Sequence, residues 1–431
     1  MHDHKSSHFP HLKYSPSSIV YIVISVFYII IKMAKRLPLI ILLWFCTDLY
    51  FYQALHTFTG SADYLWIYWV IDLALIAGLV AVIFVRRGSQ VQQRLITWVM
   101  GLMLLAFIPR LFSVPVLLIE DLSRLFRGFP PRRVWVSELA LGISAVLFLV
   151  VLFGITRGRH FYRLRRETLW FPDLPEAFDG FTITQITDVH SGSFTNAAGV
   201  QKGLDLVNDQ QSDVILFTGD LVNNRASEMD QWIPAFAGLN APMGKFSILG
   251  NHDYGDYIQW ENAEAKLENL NRLKQVHSEI GFRLLLDEAV TLKKDDQSIA
   301  LIGVENWGKG GFHKYGDLKK ATAQVNGDAF RVLMSHDPSH WEGVTLQHEP
   351  PIHLTLSGHT HGMQFGIDFL GFKWSPIQYV YKQWAGLYQD AGRYLYVNRG
   401  FGFLGLKGRI GMWPEVAVIT LKRRGIFPGR D

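Results

Sequence analysis

The chain has 431 residues, 49% of them hydrophobic, with a net charge of +4 and a single cysteine, Cys46. One cysteine excludes an internal disulfide and a cysteine-rich zinc knuckle, and the small charge, densest beside an apolar segment, excludes a nucleic-acid footprint. The length argues for two units rather than one domain.

Apolar residues crowd the first third. A membrane-crossing helix needs roughly 20 mostly apolar residues, and the runs 37–55, 65–85, 95–112 and 134–155 reach or approach that length. Residues 34–160 are therefore expected to form an all-α transmembrane bundle. Residues 1–33 read as an N-terminal extension of open status: the short apolar run 19–31 is a fifth span, a signal-like segment or neither, and Met33-Ala34-Lys35-Arg36 resembles an alternative start. One side of the four spans carries Lys32, Lys35, Arg36, Arg86, Arg87, Arg94, Arg157, Arg159, Arg163, Arg165 and Arg166; the other carries Arg124, Arg127, Arg132 and Arg133. The positive-inside rule then assigns both ends of the bundle, and all that follows, to the cytoplasmic side of the cell (inner) membrane. In the loop 113–133, Leu117, Leu118, Leu122 and Leu125 suggest an interfacial amphipathic helix. The acids Asp48, Asp72 and Glu138 lie within apolar spans and are functional candidates by default; the plainer reading, with no cation in the spans matched to them, is interhelical hydrogen bonding or a position near the interface.

Residues 161–178 read as a juxtamembrane linker. Its basic run, Arg157–Arg166, suits either anionic headgroups or a topology signal, and Pro172 and Pro175 disfavour regular structure.

From 179 to 424, strand-like apolar runs alternate with helical spacing, as at Val200, Leu204 and Val207, which predicts an α/β domain with mixed sheets. Five of the runs end in metal-ligand residue types: Asp188-Val189-His190, Gly219-Asp220, Gly250-Asn251-His252-Asp253, His336, and Gly358-His359-Thr360-His361-Gly362. Side chains at the carboxyl ends of strands are where α/β proteins place their chemistry. Imidazoles mixed with carboxylates and no thiolate suit Mn, Fe or Zn. The seven candidates, Asp188, His190, Asp220, Asn251, His336, His359 and His361, exceed what one ion needs, so two divalent ions are expected. Asp220 is the natural bridge between them. His252 is left over, placed to protonate a leaving alkoxide with Asp253 orienting its ring. His277, His340, His348 and His353 are read as core or surface.

These motifs, in this order over about 181–421, resemble the calcineurin-like metallophosphoesterase signature. Ser335-His336-Asp337-Pro338, Tyr396–Gly400, Arg409 and Pro414-Glu415 are similar to its bacterial membrane-associated branch, although Met363 stands where relatives often carry a second glycine. The resemblance implies a four-layer α/β/β/α sandwich, a di-metal centre and hydrolysis of a phosphomonoester, phosphodiester or pyrophosphate. It assigns Asp188, His190, Asp220 and His361 to one metal and Asp220, Asn251, His336 and His359 to the other, with His252 beside the phosphate.

The aromatic segment 365–388 and the tip 401–406 are expected either to pack as a second-sheet hairpin or, beside the cleft, to form an apolar wall for a lipid substrate or a surface that faces the bilayer. In the second case Trp374 and Trp384 would be exposed. The leading expectation is a membrane-anchored phosphoesterase whose partners are the lipid bilayer and a phosphorylated, lipid-linked substrate. The alternatives are an inactive phosphoesterase-fold scaffold and a transporter with a regulatory domain.

Overall fold

The computed structural model describes residues 39, 42–63, 66–85 and 90–424. The run 19–31 and the cations up to Arg36 lie outside the described residues. These residues form two compact units, one comprising the chain up to Asp72 with Ala106–Phe148, the other Leu73–Leu105 with the chain from Leu149 onward.

Among the described residues four helices come first: α1 (42–59), α2 (Trp66–Phe84), α3 (Gln90–Leu125) and α4 (Val134–Thr156). Within α3 the stretch Trp98–Leu125, and the whole of α4, are long and apolar enough to cross a membrane; the apolar part of α2, Trp66–Val82, is shorter. The expected break at 112 does not occur. Helix α3 runs on through Pro109 and Pro115 to Leu125, so the predicted interfacial helix is its continuation. Each proline removes one N–H from the ladder, a local loss that does not end a helix held by tertiary contacts on either side.

In the first unit Arg110, inside α3, lies 2.7 Å from Asp48 Oδ1 and 2.7 Å from Asp72 Oδ1. Tyr68 donates to Asp48 at 2.9 Å. Asp48 and Asp72 are thus bonded across helices, as the plainer reading expects, but through a cation that reading did not include, and Asp72 Oδ2 makes no hydrogen bond. Glu138 is exposed near the start of α4.

The second unit carries the sheets. β1 (Arg163–Phe171), β14 (Glu415–Arg423), β2 (Thr182–Ile186), β3 (Val214–Phe217), β4 (Lys245–Ser247) and β5 (Arg283–Leu284) form one six-stranded sheet in that order. β12 (Gly386–Asp390), β13 (Arg393–Val397), β9 (Leu354–Ser357), β8 (Arg331–Met334), β7 (Gln297–Gly303) and β6 (Glu288–Lys294) form the second. β10 (Ile367–Phe369) and β11 (Phe372–Trp374) make a separate hairpin. The helices are α5 (Ala197–Asn208), α6 (Ile233–Ala237), α7 (Ala263–Glu279), α8 (Leu318–Thr322) and α9 (Ser339–Gly343).

Alternation along the strands builds the layers, because successive side chains point to opposite faces. In β3, Val214 and Leu216 join the core between the sheets, with Phe246, Leu301, Val332, Met334, Leu354 and Tyr396. Ile215 and Phe217 face the other way, onto Val200 and Leu204 of α5 and Leu273 and Val276 of α7. In β8 the odd residue Leu333 turns outward to Leu318 and Ala321 of α8. The result is a helix–sheet–sheet–helix sandwich, the four-layer architecture expected.

Part of the predicted linker is a strand. β1 pairs in parallel with β14 from Arg163↔Glu415 to Phe171↔Arg423, burying Leu169 and Phe171. Pro172 and Pro175 disfavour regular structure only where they stand, after the strand has ended. The aromatic segment also divides: Trp384, Phe401 and Phe403 are buried in the domain, so the expectation that they face lipid is overturned for these three rings.

Candidate metal centre

The loops that leave β2, β3, β4, β8 and β9 meet at one end of the two sheets. Asp188 and His190 follow β2, Asp220 follows β3 and Asn251 follows β4, all in the first sheet; His336 follows β8 and His359 and His361 follow β9 in the second. A register shift of one residue in any of these parallel pairings would send its ligands elsewhere.

Two groups of ligand atoms result. Asp188, His190 and His361 form one, and Asp220, His336 and His359 the other, with the atoms of each group within 4.8 Å of one another. His190 Nε2 lies 3.0 Å from His361 Nε2, and His361 Nε2 lies 3.2 Å from Asp188 Oδ1. Asn251 joins the second group, its Oδ1 2.8 Å from His359 Nδ1. Asp220 Oδ2 stands between the groups, 3.1 Å from His336 Nε2 and 3.5 Å from His190 Nε2.

Backbone conformation is unusual here. Asp188, His190, Asp220, His359 and His361 all have positive φ, between 47° and 70°. Each such non-glycine residue costs about 1–3 kcal/mol, a strain that packing alone gives no reason to concentrate at one spot. Gly250 and Gly358 permit the crowding: a Cβ at Gly250 would meet Asp220 Oδ1 at 2.2 Å, and one at Gly358 would meet Asp188 Oδ2 at 2.3 Å.

The electrostatics match ligand chemistry. Burial pushes His190 down to about 3 and His359 down to about 4, and holds His361 well below the usual imidazole range. These rings stay neutral, as metal ligands must. His336 donates from Nδ1 to Thr218 O at 2.8 Å, which leaves Nε2 facing the Asp220 carboxylate, 3.1 Å from Oδ2. Burial alone would lower His336, but Asp220 and then Asp188 raise it to about 10. Burial alone would raise Asp220, yet the imidazoles, His336 first, hold it well below the usual carboxylate range. The raised His336 pKa places a proton between ring and carboxylate, where positive charge is called for, and a divalent cation meets the same need, so the donor set fits divalent cations.

His252 is part-exposed, its ring 4.9 Å from that of His190. Its Nδ1 lies 2.8 Å from the Asn223 carbonyl, which orients the ring. The expected role of Asp253 in that orientation is not found. Asp253 is fully buried and accepts backbone N–H groups from Asp220, Leu221, Val222 and Gly250. It ties two site loops together, and its oxygens are thereby used up.

Four supporting residues escaped sequence reasoning or were not given roles by it. Asn251 Nδ2 donates to Tyr257 Oη at 2.8 Å, which turns Oδ1 toward His359. His359 Nε2 is 2.8 Å from Tyr381 Oη and 3.6 Å from Asp337 Oδ2. Asp337 is fully buried, and its Oδ2 makes no hydrogen bond. Arg409, also fully buried, donates to the Gly402 and Arg399 carbonyls and reaches His361 Nδ1 at 3.1 Å. Asp337, adjacent to His336, and Arg409, part of the family resemblance, carried a signal in the sequence; the tyrosines arrive from loops whose path no local pattern reveals. A cleft of about 200 Å³, lined by Asn251, Asp256, Tyr257, Asn306, Phe312 and Tyr315, opens beside the centre.

Comparison with known proteins agrees with this geometry. The family description "Calcineurin-like phosphoesterase" matches residues 181–363, and "Probable Calcineurin-like phosphoesterase, transmembrane domain" matches residues 29–159. An uncharacterized metallophosphoesterase of Bacillus subtilis, YkuE, is 30% identical over 267 residues, 61% of this chain and 86% of that protein. A Bos taurus transmembrane protein with metallophosphoesterase domain is 28% identical over 58% of this chain and 54% of its own length. The UDP-2,3-diacylglucosamine pyrophosphatase LpxG of Chlamydia trachomatis is 25% identical over 61% of this chain and 92% of its own length.

Proposed function

The chain belongs to the calcineurin-like metallophosphoesterases, and on that premise we propose that it hydrolyses a phosphodiester or pyrophosphate of a lipid-linked substrate at the membrane surface. Its family and membrane-domain matches make it a membrane-associated, metal-dependent phosphoric ester or pyrophosphate hydrolase with a dinuclear site. The finer reading assigns Asp188, His190, Asp220 and His361 to one ion and Asp220, Asn251, His336 and His359 to the other. The observation that carries it is Asp220 Oδ2, within 3.5 Å of a nitrogen from each group.

Two such ions, of Mn, Fe or Zn type, would supply Lewis acidity toward the phosphoryl oxygens and lower the pKa of a bound water. The chain's own residues do the rest. Asp220 holds the groups together, Tyr257 and Tyr381 fix the ligand faces of Asn251 and His359, and the buried surroundings exclude bulk water from the ligand atoms. With Nδ1 tied to the Asn223 carbonyl, His252 keeps Nε2 as the nitrogen that delivers a proton to the leaving oxygen.

The lipid reading rests on the apolar helices and on the pyrophosphatase relative, whose named substrate is a diacylated nucleotide sugar. The polar cleft beside Asn251 suits the hydrophilic part of such a molecule. The excess of Lys and Arg at the bundle's two ends and at Arg86, Arg87 and Arg94 favours a cytoplasmic catalytic domain. Metal analysis, with turnover of an aryl phosphodiester and a long-chain lipid pyrophosphate, tests the proposal. Two metals and preferential hydrolysis of the lipid support it. Two metals with turnover of only the soluble ester would leave the phosphoesterase and remove the lipid. Absence of turnover with metal bound would favour the inactive scaffold.

A further inference from the structure

The excursion between β9 and β12 leaves the metal centre at His359 and His361, forms the β10–β11 hairpin, and returns to the centre at Tyr381. The hairpin is outside both large sheets. Its turn carries Phe369, Leu370 and Phe372, exposed at 68%, 87% and 60%. Ile367 on the same hairpin, and Met363, Tyr379 and Val380 on its flanks, are exposed as well. A cluster of this kind on a folded domain marks a contact surface.

What covers it follows from where the hairpin is rooted. Ile410 pairs with the hairpin's base: its N–H donates to Gln364 O at 2.8 Å, and its carbonyl accepts from Gly366 N at 2.9 Å. The adjacent Arg409 N donates to Gly154 O in the last turn of α4 at 3.1 Å. A Cβ at Gly154 would strike Ile410 Cγ1 at 2.5 Å, so this helix end packs directly against the residue that pairs with the hairpin base. Asp368, the polar residue in β10, turns its carboxylate to Arg399 at 3.0 Å and to Arg165 of β1. The hairpin's polar side is thereby bonded to the domain and its apolar turn is left outside. An apolar turn rooted at the end of a membrane-spanning helix lies within reach of the headgroup–acyl boundary, since three strand residues span only about 10 Å.

We propose that the β10–β11 hairpin dips into the bilayer that α4 crosses, Phe369, Leu370 and Phe372 entering the acyl-chain boundary while Asp368 holds the stem on the domain. This docks the rim of the metal centre against the membrane surface, and it holds whether or not the substrate is a lipid.

The test uses the full-length protein in phosphatidylcholine–phosphatidylglycerol vesicles, with Cys46→Ala removing the only native thiol. A bimane fluorophore is attached at Leu370→Cys and, as the aqueous control, at Asp296→Cys in the exposed β6–β7 turn. Quenching by acyl-chain nitroxide lipids should be at least several-fold stronger at the hairpin than at the control, and quenching by aqueous iodide correspondingly weaker. Iodide quenching of the hairpin probe as strong as at the control would overturn the proposal. Shielding from both quenchers would overturn it too, because a second protein surface would then cover the turn. A Phe369→Ser/Leu370→Ser/Phe372→Ser variant should still hydrolyse a small soluble aryl phosphodiester within about twofold of the parent, which shows that the domain is folded. No step of the depth measurement needs a lipid substrate, so failure of the substrate proposal leaves this result standing.

Discussion

Asp220 Oδ2 lies 3.1 Å from His336 Nε2, although the two residues belong to different sheets. The same oxygen is 3.5 Å from His190 Nε2 in the neighbouring group, while Asp220 Oδ1 accepts the backbone N–H of His252 at 2.8 Å. One carboxylate therefore joins both halves of the centre and fixes the start of the turn that carries the proposed acid.

Replacing Asp220 by Asn keeps the shape and removes the negative charge shared by two cations. Turnover should fall to background, and the metal content measured by atomic emission should drop below two per chain. Two metals with near-parental activity would remove Asp220 from the bridging role.

His252→Gln should retain both metals yet slow hydrolysis by about 10²–10⁴-fold, the usual worth of a general acid. The loss should shrink as the leaving group becomes more acidic and needs no proton. A series of aryl phosphodiesters measures this, and an equal loss across the series would indicate phosphate binding in place of proton transfer.

Asp337→Asn tests a positioning role. Its buried Oδ2, 3.6 Å from His359 Nε2, supports the ring from behind. Outer partners of metal-bound histidines are typically worth 10–100-fold in metal affinity. Calorimetric titration of the metal-free protein should show weakening of about that size at one site, with the melting temperature of the metal-free form nearly unchanged. A lower melting temperature with unaltered metal affinity would make Asp337 merely structural.

In the membrane unit, Arg110→Leu would leave Asp48 and Asp72 without their cation. Removing one partner of a buried ion pair costs about 3–5 kcal/mol, so thermal unfolding in lipid nanodiscs should shift sharply downward. Replacing all three residues by Leu should recover most of the loss. If the single variant melted like the parent, the contacts at 2.7 Å would contribute nothing to the bundle.

The order of motifs was legible because each ligand follows directly on an apolar run, and strand ends read locally. β2, β3, β8 and β9 end just before the ligands that follow them for the same reason. The four-layer fold and the phosphoesterase family were also within reach, through motifs specific enough to be recognised together. Elements without a local pattern were missed. β1 carries Arg163, Arg165, Arg166 and Glu167 and is stable as a strand only because β14 lies beside it. Arg110 was overlooked because a cation in an apolar run acquires meaning only when other helices bring Asp48 and Asp72 to it. Phe401 and Trp384 share the composition of Phe369 and Leu370, yet the first two are buried and the last two exposed. Hydrophobicity states that a side chain prefers to leave water; which surface receives it, the protein's own sheets or something beyond them, is decided only by long-range packing.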